Sequence, residues 1–284
     1  MKLGANTWIW TSPLTDEGLA ELAPKLRDWG FDIVELPVEQ LGDWTPSRAA
    51  SILSEHGLGA SMAIAMAPGR ELCGADASVV ADTQAFLREC LDVAAEIGAG
   101  AIAGPIYAST GRTWRISASE RRALYAELRE SLAPVCDHAA SVGVRIAIEP
   151  LVRYETSLIN TVEQALEAID DLPSVGLLVD TYHANIEEKS VGDAYRLAGD
   201  KLFHVHASAN DRGAPGADHV PWEEVRDALA DIGYDGTVVI ESFTAENETI
   251  ATAASIWRPL AASQDAIAVD GLAFLRELLP QARP

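Results

Sequence analysis

Short apolar runs alternate with amphipathic segments along the chain. The runs are Leu3–Trp10, Asp32–Glu39, Gly59–Ala67, Gly100–Ala108, Val144–Leu151, Val175–His183, Leu202–Ala209 and Gly236–Phe243. Each predicts a strand, and several are apolar almost without interruption, as parallel strands covered on both faces are. The segments between them carry helix signals. Ser117 with Glu120 makes an S-x-x-E capping box, and Thr161 with Gln164 makes T-x-x-Q. Thr45 precedes Pro46, which places a proline at a first helical position. Gly30, Gly57, Gly143 and Gly233 follow amphipathic stretches and can end them in a left-handed turn. Eight such alternations without a linker or low-complexity segment predict a single (β/α)8 TIM barrel over residues 1–284, with a doubly wound open sheet as the alternative. The polar stretch from Ala245 to Ile256 reads as a loop, and Gln264–Leu279 as a final amphipathic helix.

In such a barrel the chemistry belongs at the C-terminal ends of the strands, where eight loops converge. Four consecutive runs there end in an ionisable residue: Glu149 after Ile146–Ile148, Asp180 after Leu177–Val179, His206 after Phe203–Val205 and Glu241 after Val238–Ile240. One such residue can be a structural partner of a nearby loop, but four on neighbouring strands meet at one place. Three carboxylates buried together raise one another's pKa, and a divalent cation relieves that conflict. Three oxygen donors with one imidazole suit Mn²⁺ or Mg²⁺ better than structural zinc, so a metal site at Glu149, Asp180, His206 and Glu241 is expected, against a metal-free carboxylate–histidine network. Past the strand ends lie Arg153, Tyr154, Glu155 and His183, and then the Gly/Pro-rich loop Asn210–Gly216, which carries Arg212. His204 sits two residues deeper than His206 and reads as a supporting or core residue. His56 and His138 fall on predicted helices.

Composition removes other readings. Lys and Arg number 21 against 43 Asp and Glu, a net charge of −22, which disfavours nucleic acid and anionic lipid as partners. Cys73, Cys90 and Cys136 are too few and too far apart for a disulfide framework, and read as reduced core residues. The N-terminal MKLGANTWIW lacks the apolar run of a signal peptide, and no stretch approaches the ~18 apolar residues of a spanning helix, so a cytoplasmic protein is expected. None of the four lysines lies in the C-terminal half of a strand, which argues against a Schiff-base aldolase. Gly98-x-Gly100-x-x-x-Gly104 precedes a strand where a dinucleotide loop would follow one, so no nicotinamide cofactor is implied.

Several longer pieces resemble one family. Ile148–Thr156 (IEPLVRYET), Val179–His183 (VDTYH), His204–Gly216 (HVHASANDRGAPG), Val239–Phe243 (VIESF) and Trp257–Gln264 (WRPLAASQ) resemble the ketose 3-epimerases typified by D-tagatose and D-psicose 3-epimerase, among the xylose-isomerase-like barrels. The resemblance implies a bound divalent ion, Mn²⁺ first with Mg²⁺ and Co²⁺ as alternatives, at Glu149, Asp180, His206 and Glu241. It implies sugar contacts from Glu155, His183 and Arg212. Gly104–Tyr107 and Trp114 would match the loop after the fourth strand, with Trp8 and Met66 as apolar walls. The implied reaction is C3 epimerisation of a free ketose such as fructose, psicose, tagatose, sorbose or a ketopentose. A metal that binds both the C2 carbonyl and C3 hydroxyl oxygens would stabilise an enediolate. Glu149 and Glu241 would flank the sugar, one removing the C3 proton and the other returning it on the opposite face. Relatives assemble as dimers or tetramers, so a homo-oligomer is expected.

Other reactions fit the same barrel. An aldose–ketose isomerase of the hydroxypyruvate type would move a proton between C1 and C2. An inosose-dehydratase-like lyase would expel hydroxide from the same metal enolate, and a catalytically silent metal- and sugar-binding protein is disfavoured by the retention of two potential acid–base glutamates. An apurinic-site endonuclease would need more histidines and a basic face, and the sequence has neither.

Overall fold

Eight parallel strands close into a barrel in the computed structural model, which describes residues 1–279. They are β1 (Lys2–Asn6), β2 (Ile33–Val38), β3 (Gly59–Ile64), β4 (Ala101–Gly104), β5 (Arg145–Ile148), β6 (Val175–Asp180), β7 (Leu202–Ala207) and β8 (Thr237–Ile240). Closure is direct: β8 pairs with β1 from Thr237 opposite Lys2 to Ile240 opposite Ala5, which rules out the open sheet. Each strand stops before its apolar run does. After β1 the chain enters a 3-10 turn, Thr7–Ile9, because Asn6 Oδ1 accepts the Trp8 N–H and bends the backbone. The Val175–His183 run divides for the same kind of reason. Asp180 Oδ1 accepts the Tyr182 N–H and so caps a helix, α6 (Thr181–Glu187), which places His183 on a helix and not on the strand.

Around the barrel, α1 (Asp16–Trp29), α2 (Pro46–His56), α3 (Ala77–Ile97), α4 (Ala118–Val142), α5 (Val162–Ala168), α7 (Val191–Ala198), α8 (Trp222–Asp231) and α10 (Gln264–Leu278) complete the ring. Their apolar stripes face the strands, as with Leu19, Leu22 and Leu26 of α1 and Leu87, Leu91 and Ala94 of α3. The capping box of α4 is complete, with Ser117 and Glu120 each bonding the other's backbone N–H. At α5 only half of it forms. Thr161 caps Gln164, but the Gln164 side chain reaches past Thr161 to the Asn160 N–H. Thr45 makes no side-chain cap, although Pro46 does open α2. Gly30, Gly57 and Gly143 end α1, α2 and α4 in the left-handed conformation. A short helix, α9 (Glu248–Ala253), capped by Asn247, occupies part of the stretch expected to be loop.

The end of the chain secures the β1–β8 seam. Gln264 Nε2 donates to the Ile9 carbonyl and to Thr244 Oγ1, and Trp10 Nε1 donates to Asp265 Oδ1. All three cysteines are buried and unpaired, and burial pushes the Cys73 and Cys90 thiols up to about 12 and Cys136 to about 11. They are inert core residues at neutral pH. Among the described residues no helix is long and apolar enough to cross a membrane.

β4 passes close to β3 at one point. Gly104 has φ +139°, and a Cβ there would stand 2.7 Å from the Ile64 carbonyl oxygen, whereas Gly100 has open space around it. Urea unfolding should therefore show Gly104→Ala to be destabilised by about 1–3 kcal/mol. Gly100→Ala should stay within about 0.5 kcal/mol of the wild type or gain slightly.

Candidate active site

Parallel pairing brings four strand ends together at one mouth of the barrel. Asp180 closes β6 and pairs with His206 on β7, while Glu149 and Glu241 are the first residues past β5 and β8. One ligating atom from each of Glu149, Asp180, His206 and Glu241 lies within 4.8 Å of the others, and all four residues are buried. Their backbones are tied down from below. Glu149 N–H donates to the Gly104 carbonyl, and its own carbonyl accepts from the buried Tyr107 hydroxyl. The Glu241 carbonyl accepts from Ser208 Oγ at 2.7 Å.

Arg212 reaches into this cluster from the β7 loop. Its Nη1 donates to Asp180 Oδ2 at 2.6 Å and to Glu241 Oε2 at 2.9 Å, and its guanidinium stacks over the Tyr182 ring, 3.9 Å from the centroid. Its backbone is in the left-handed region at φ 67°, held there by the Arg212 N–H to Ala209 carbonyl bond and the Phe243 N–H to Arg212 carbonyl bond. Strain of this kind persists only where neighbours over-determine it. His183 completes the group. Its Nδ1 lies 2.9 Å from the Val152 N–H, and its Nε2 lies 3.0 Å from Arg212 Nη2 and 3.8 Å from Glu149 Oε1. Burial and the adjacent Arg212 hold His183 well below the usual histidine range, hence neutral.

The two glutamates are driven apart. Burial and the facing Glu241 push Glu149 well above the usual carboxylate range. Burial acts on Glu241 in the same direction, but its contact with His206 and the charge of Arg212 outweigh it and hold the carboxyl low. His206 moves up despite burial, because Glu241 and Glu35 both face it. Two buried ligating atoms here have no hydrogen-bond partner: Glu149 Oε1 and His206 Nδ1. Unpartnered ligating atoms of this kind, among three carboxylates, fit a divalent cation, and with oxygen donors in the majority the set suits a hard ion.

The other expected residues fall at varying distances. Glu155 is half-buried near Arg212, and burial raises its pKa. Trp8 packs on Phe243 with ring centroids 6.2 Å apart and donates its indole N–H to Glu39, so it joins the mouth through Phe243, which itself lies 5.0 Å from the Arg212 guanidinium. Met66 is buried in the core, and Trp114 lies partly buried beneath Arg112. A cleft of about 490 Å³ opens over Arg212 between Tyr182 and Asn210 on one side and Ile256 and Trp257 on the other. His56 ends α2, His138 pairs with Asp92 near the surface, and exposed His219 faces Asn185. Sequence reasoning passed over Glu35. A charged residue in the middle of the Asp32–Glu39 apolar run was the available signal, and in the fold it contacts both His204 and His206 at 2.8 Å.

Comparison with known proteins bears on this geometry. The family model of the xylose isomerase-like TIM barrel matches residues 23–278. A ketose 3-epimerase of Arthrobacter globiformis is 32% identical over 98% of this chain and 97% of its own length. A D-psicose 3-epimerase of Agrobacterium fabrum is 31% identical, over 95% and 98%. The solved D-psicose 3-epimerase of Clostridium cellulolyticum H10, crystallised with D-tagatose, superposes with a TM-score of 0.90 at 28% identity and covers 99% of this chain and all of its own, 100%.

The opposed environments of the two glutamates give opposite effects on stability. Folded Glu149 keeps a proton that the unfolded chain releases above its ordinary value, so its contribution to stability falls as pH rises from about 4.5. Glu241 is ionised and paired, so it stabilises above the ordinary glutamate range and loses that contribution in acid. In chelator-treated protein at pH 8, Glu149→Gln should raise Tm by a few degrees and Glu241→Gln should lower it, as read by calorimetry. Added Mn²⁺ should raise the wild-type Tm more than that of either variant.

Proposed function

The chain belongs to the xylose isomerase-like TIM-barrel family, among the ketose 3-epimerases, and we propose that it is itself a metal-dependent epimerase that inverts C3 of free ketoses. The observation that carries this reading is the opposed pair, Glu149 and Glu241, which enter one buried cluster from β5 and β8, on different sides of the barrel. Inversion at carbon needs this arrangement, with a group on each face of the reacting atom, one able to accept a proton while the other holds one.

Glu149, Asp180, His206 and Glu241 would hold the ion, Mn²⁺ by the match of a mainly hard oxygen set with one imidazole. When bound, a divalent ion supplies Lewis-acid polarisation of the ketose oxygens, which makes the C3 hydrogen acidic. Glu241, ionised beside Arg212, removes the C3 proton from one face. Glu149, across the cluster from Glu241, delivers a proton to the other face, and the roles exchange for the opposite epimer. His183, beside Arg212, contacts a sugar oxygen. Arg212 and Glu155 contact the sugar's oxygens, and Trp8, Met66 and Trp114 shape the apolar walls.

Free sugars are favoured over phosphates by charge. The cations near the rim are already neutralised, Arg153 by Glu187 at 2.8 Å and Arg258 by Asp211 at 3.1 Å, and Arg212 is committed to two carboxylates. A phosphate dianion would compete with these carboxylates for each of the three arginines.

Proton NMR of a ketose panel in D₂O, with Mn²⁺-loaded enzyme and chelation before acquisition, tests the reading. Fructose, psicose, tagatose, sorbose, ribulose or xylulose should gain deuterium at C3 together with the C3 epimer. Deuterium at C1 or C2 with an aldose product would replace the proposal with an aldose–ketose isomerase. With metal content verified, Glu149→Gln and Glu241→Gln should each lower epimerisation by about 10²–10⁴-fold. Near-normal turnover in either variant would remove the two-glutamate mechanism.

A further inference from the structure

Deeper along the barrel axis lies a second group of buried polar residues that the proposed chemistry does not use. Asn6, Glu35 and Ser61 stand at one level on β1, β2 and β3, paired in register. His204 and His206 approach from β7. Glu35 is 0% exposed, and every side chain that meets its carboxylate can present a hydrogen. Oε2 accepts from Asn6 Nδ2 at 2.9 Å and lies 2.8 Å from His206 Nε2, while Oε1 accepts from Ser61 Oγ at 3.0 Å and lies 2.8 Å from His204 Nε2. The amide of Asn6 cannot turn over, because its Oδ1 takes the Trp8 N–H.

His206 belongs to both groups. Its Nε2 meets Glu35, and its Nδ1, without a hydrogen-bond partner, lies 3.3 Å from Glu241 Oε1 in the ligand cluster. We propose that Glu35 is a positioning residue for the metal centre: by accepting the Nε2 hydrogen it holds His206 in the tautomer and ring orientation that present the Nδ1 lone pair to Glu149, Asp180 and Glu241. The inference rests on the metal reading given above. A carboxylate behind a ligating imidazole acts in this way generally, fixing the ring and raising its basicity. Glu35, His204 and His206 also bring ligating atoms within 4.8 Å of one another, as a metal site of their own would. Asn6 and Ser61 oppose that alternative, since both aim hydrogens at the carboxylate oxygens a cation would need.

The test is Mn²⁺ titration calorimetry on the chelator-stripped full chain, with folding checked by circular dichroism. The wild type should bind one ion per chain, and Glu35→Gln should bind it about 10–100-fold more weakly. Glu71→Gln removes another buried acid, one that pairs with Arg112 at 2.9 Å away from the cluster, and should leave Kd unchanged. Equal affinity in wild type and Glu35→Gln would overturn the inference alone. Two ions per wild-type chain, one of them lost in Glu35→Gln, would overturn it by making Glu35 a ligand. No binding by the wild type would overturn the metal reading and the inference with it. If Glu35→Gln does not fold, Glu35→Asp keeps the charge and withdraws it by one methylene; weaker binding again supports the role, and unchanged binding removes it.

Discussion

Three carboxylates held within a few ångströms in a buried place are the constraint around which this molecule is organised. Like charges so close repel strongly in a medium of low dielectric, and burial adds the cost of lost hydration. The chain answers with Arg212 against Asp180 and Glu241, with His206 against Glu241, and with a proton retained on Glu149. These answers are unequal, so two residues of one chemical type are driven in opposite directions. The same field that would weaken an ordinary core creates affinity for a cation.

The barrel separates rigid from adaptable parts. The four clustered residues sit on strands or one residue beyond them, each strand bonded to two neighbours, so their relative positions are set by sheet registers and not by loop conformation. Arg212 is the exception. It lies on a loop, and its left-handed backbone is stabilised by hydrogen bonds to Ala209 and Phe243 and by the Tyr182 ring under its guanidinium. Residues further out, Trp8 and Trp114 among them, are held by side-chain contacts to Glu39, Phe243 and Arg112. Contacts of this kind can change without disturbing the cluster, because the cluster is set by the sheet.

Support also runs downward. Glu35 and its donors fill the barrel interior just below the cluster, where an apolar layer would otherwise pack. A fully buried carboxylate is unfavourable unless every oxygen is met by a donor; here Asn6 and His206 meet Oε2 and Ser61 meets Oε1, with His204 Nε2 2.8 Å from it. Burial alone would push Glu35 up, yet His206 and His204 hold it well below the ordinary range, so it remains an acceptor at neutral pH. The link between β2 and β7 spans 171 residues of sequence, and it joins the two walls of the barrel as well as orienting an imidazole.

Much of this was legible from residue order because the signals are local. Eight apolar runs separated by capped amphipathic stretches specify strands, helices and their alternation, and an ionisable residue at the end of an apolar run marks the strand ends where a barrel does its chemistry. Glu149, Asp180, His206 and Glu241 could be singled out on that basis, since burial of a charge is improbable without a purpose. Strand ends were harder. Apolar runs continue into the loops, and only side-chain caps such as Asn6 and Asp180 decide where pairing stops, so His183 falls on a helix. The complete cap predicted at Thr161 forms only in part, since Gln164 finds the Asn160 N–H instead. Tertiary structure alone decided the rest. Closure of β8 on β1, the proton held by Glu149 and denied to Glu241, and the reach of Glu35 across the barrel to His206 depend on distances between residues far apart in the chain. Periodicity records which face a residue takes; it holds no record of what stands opposite.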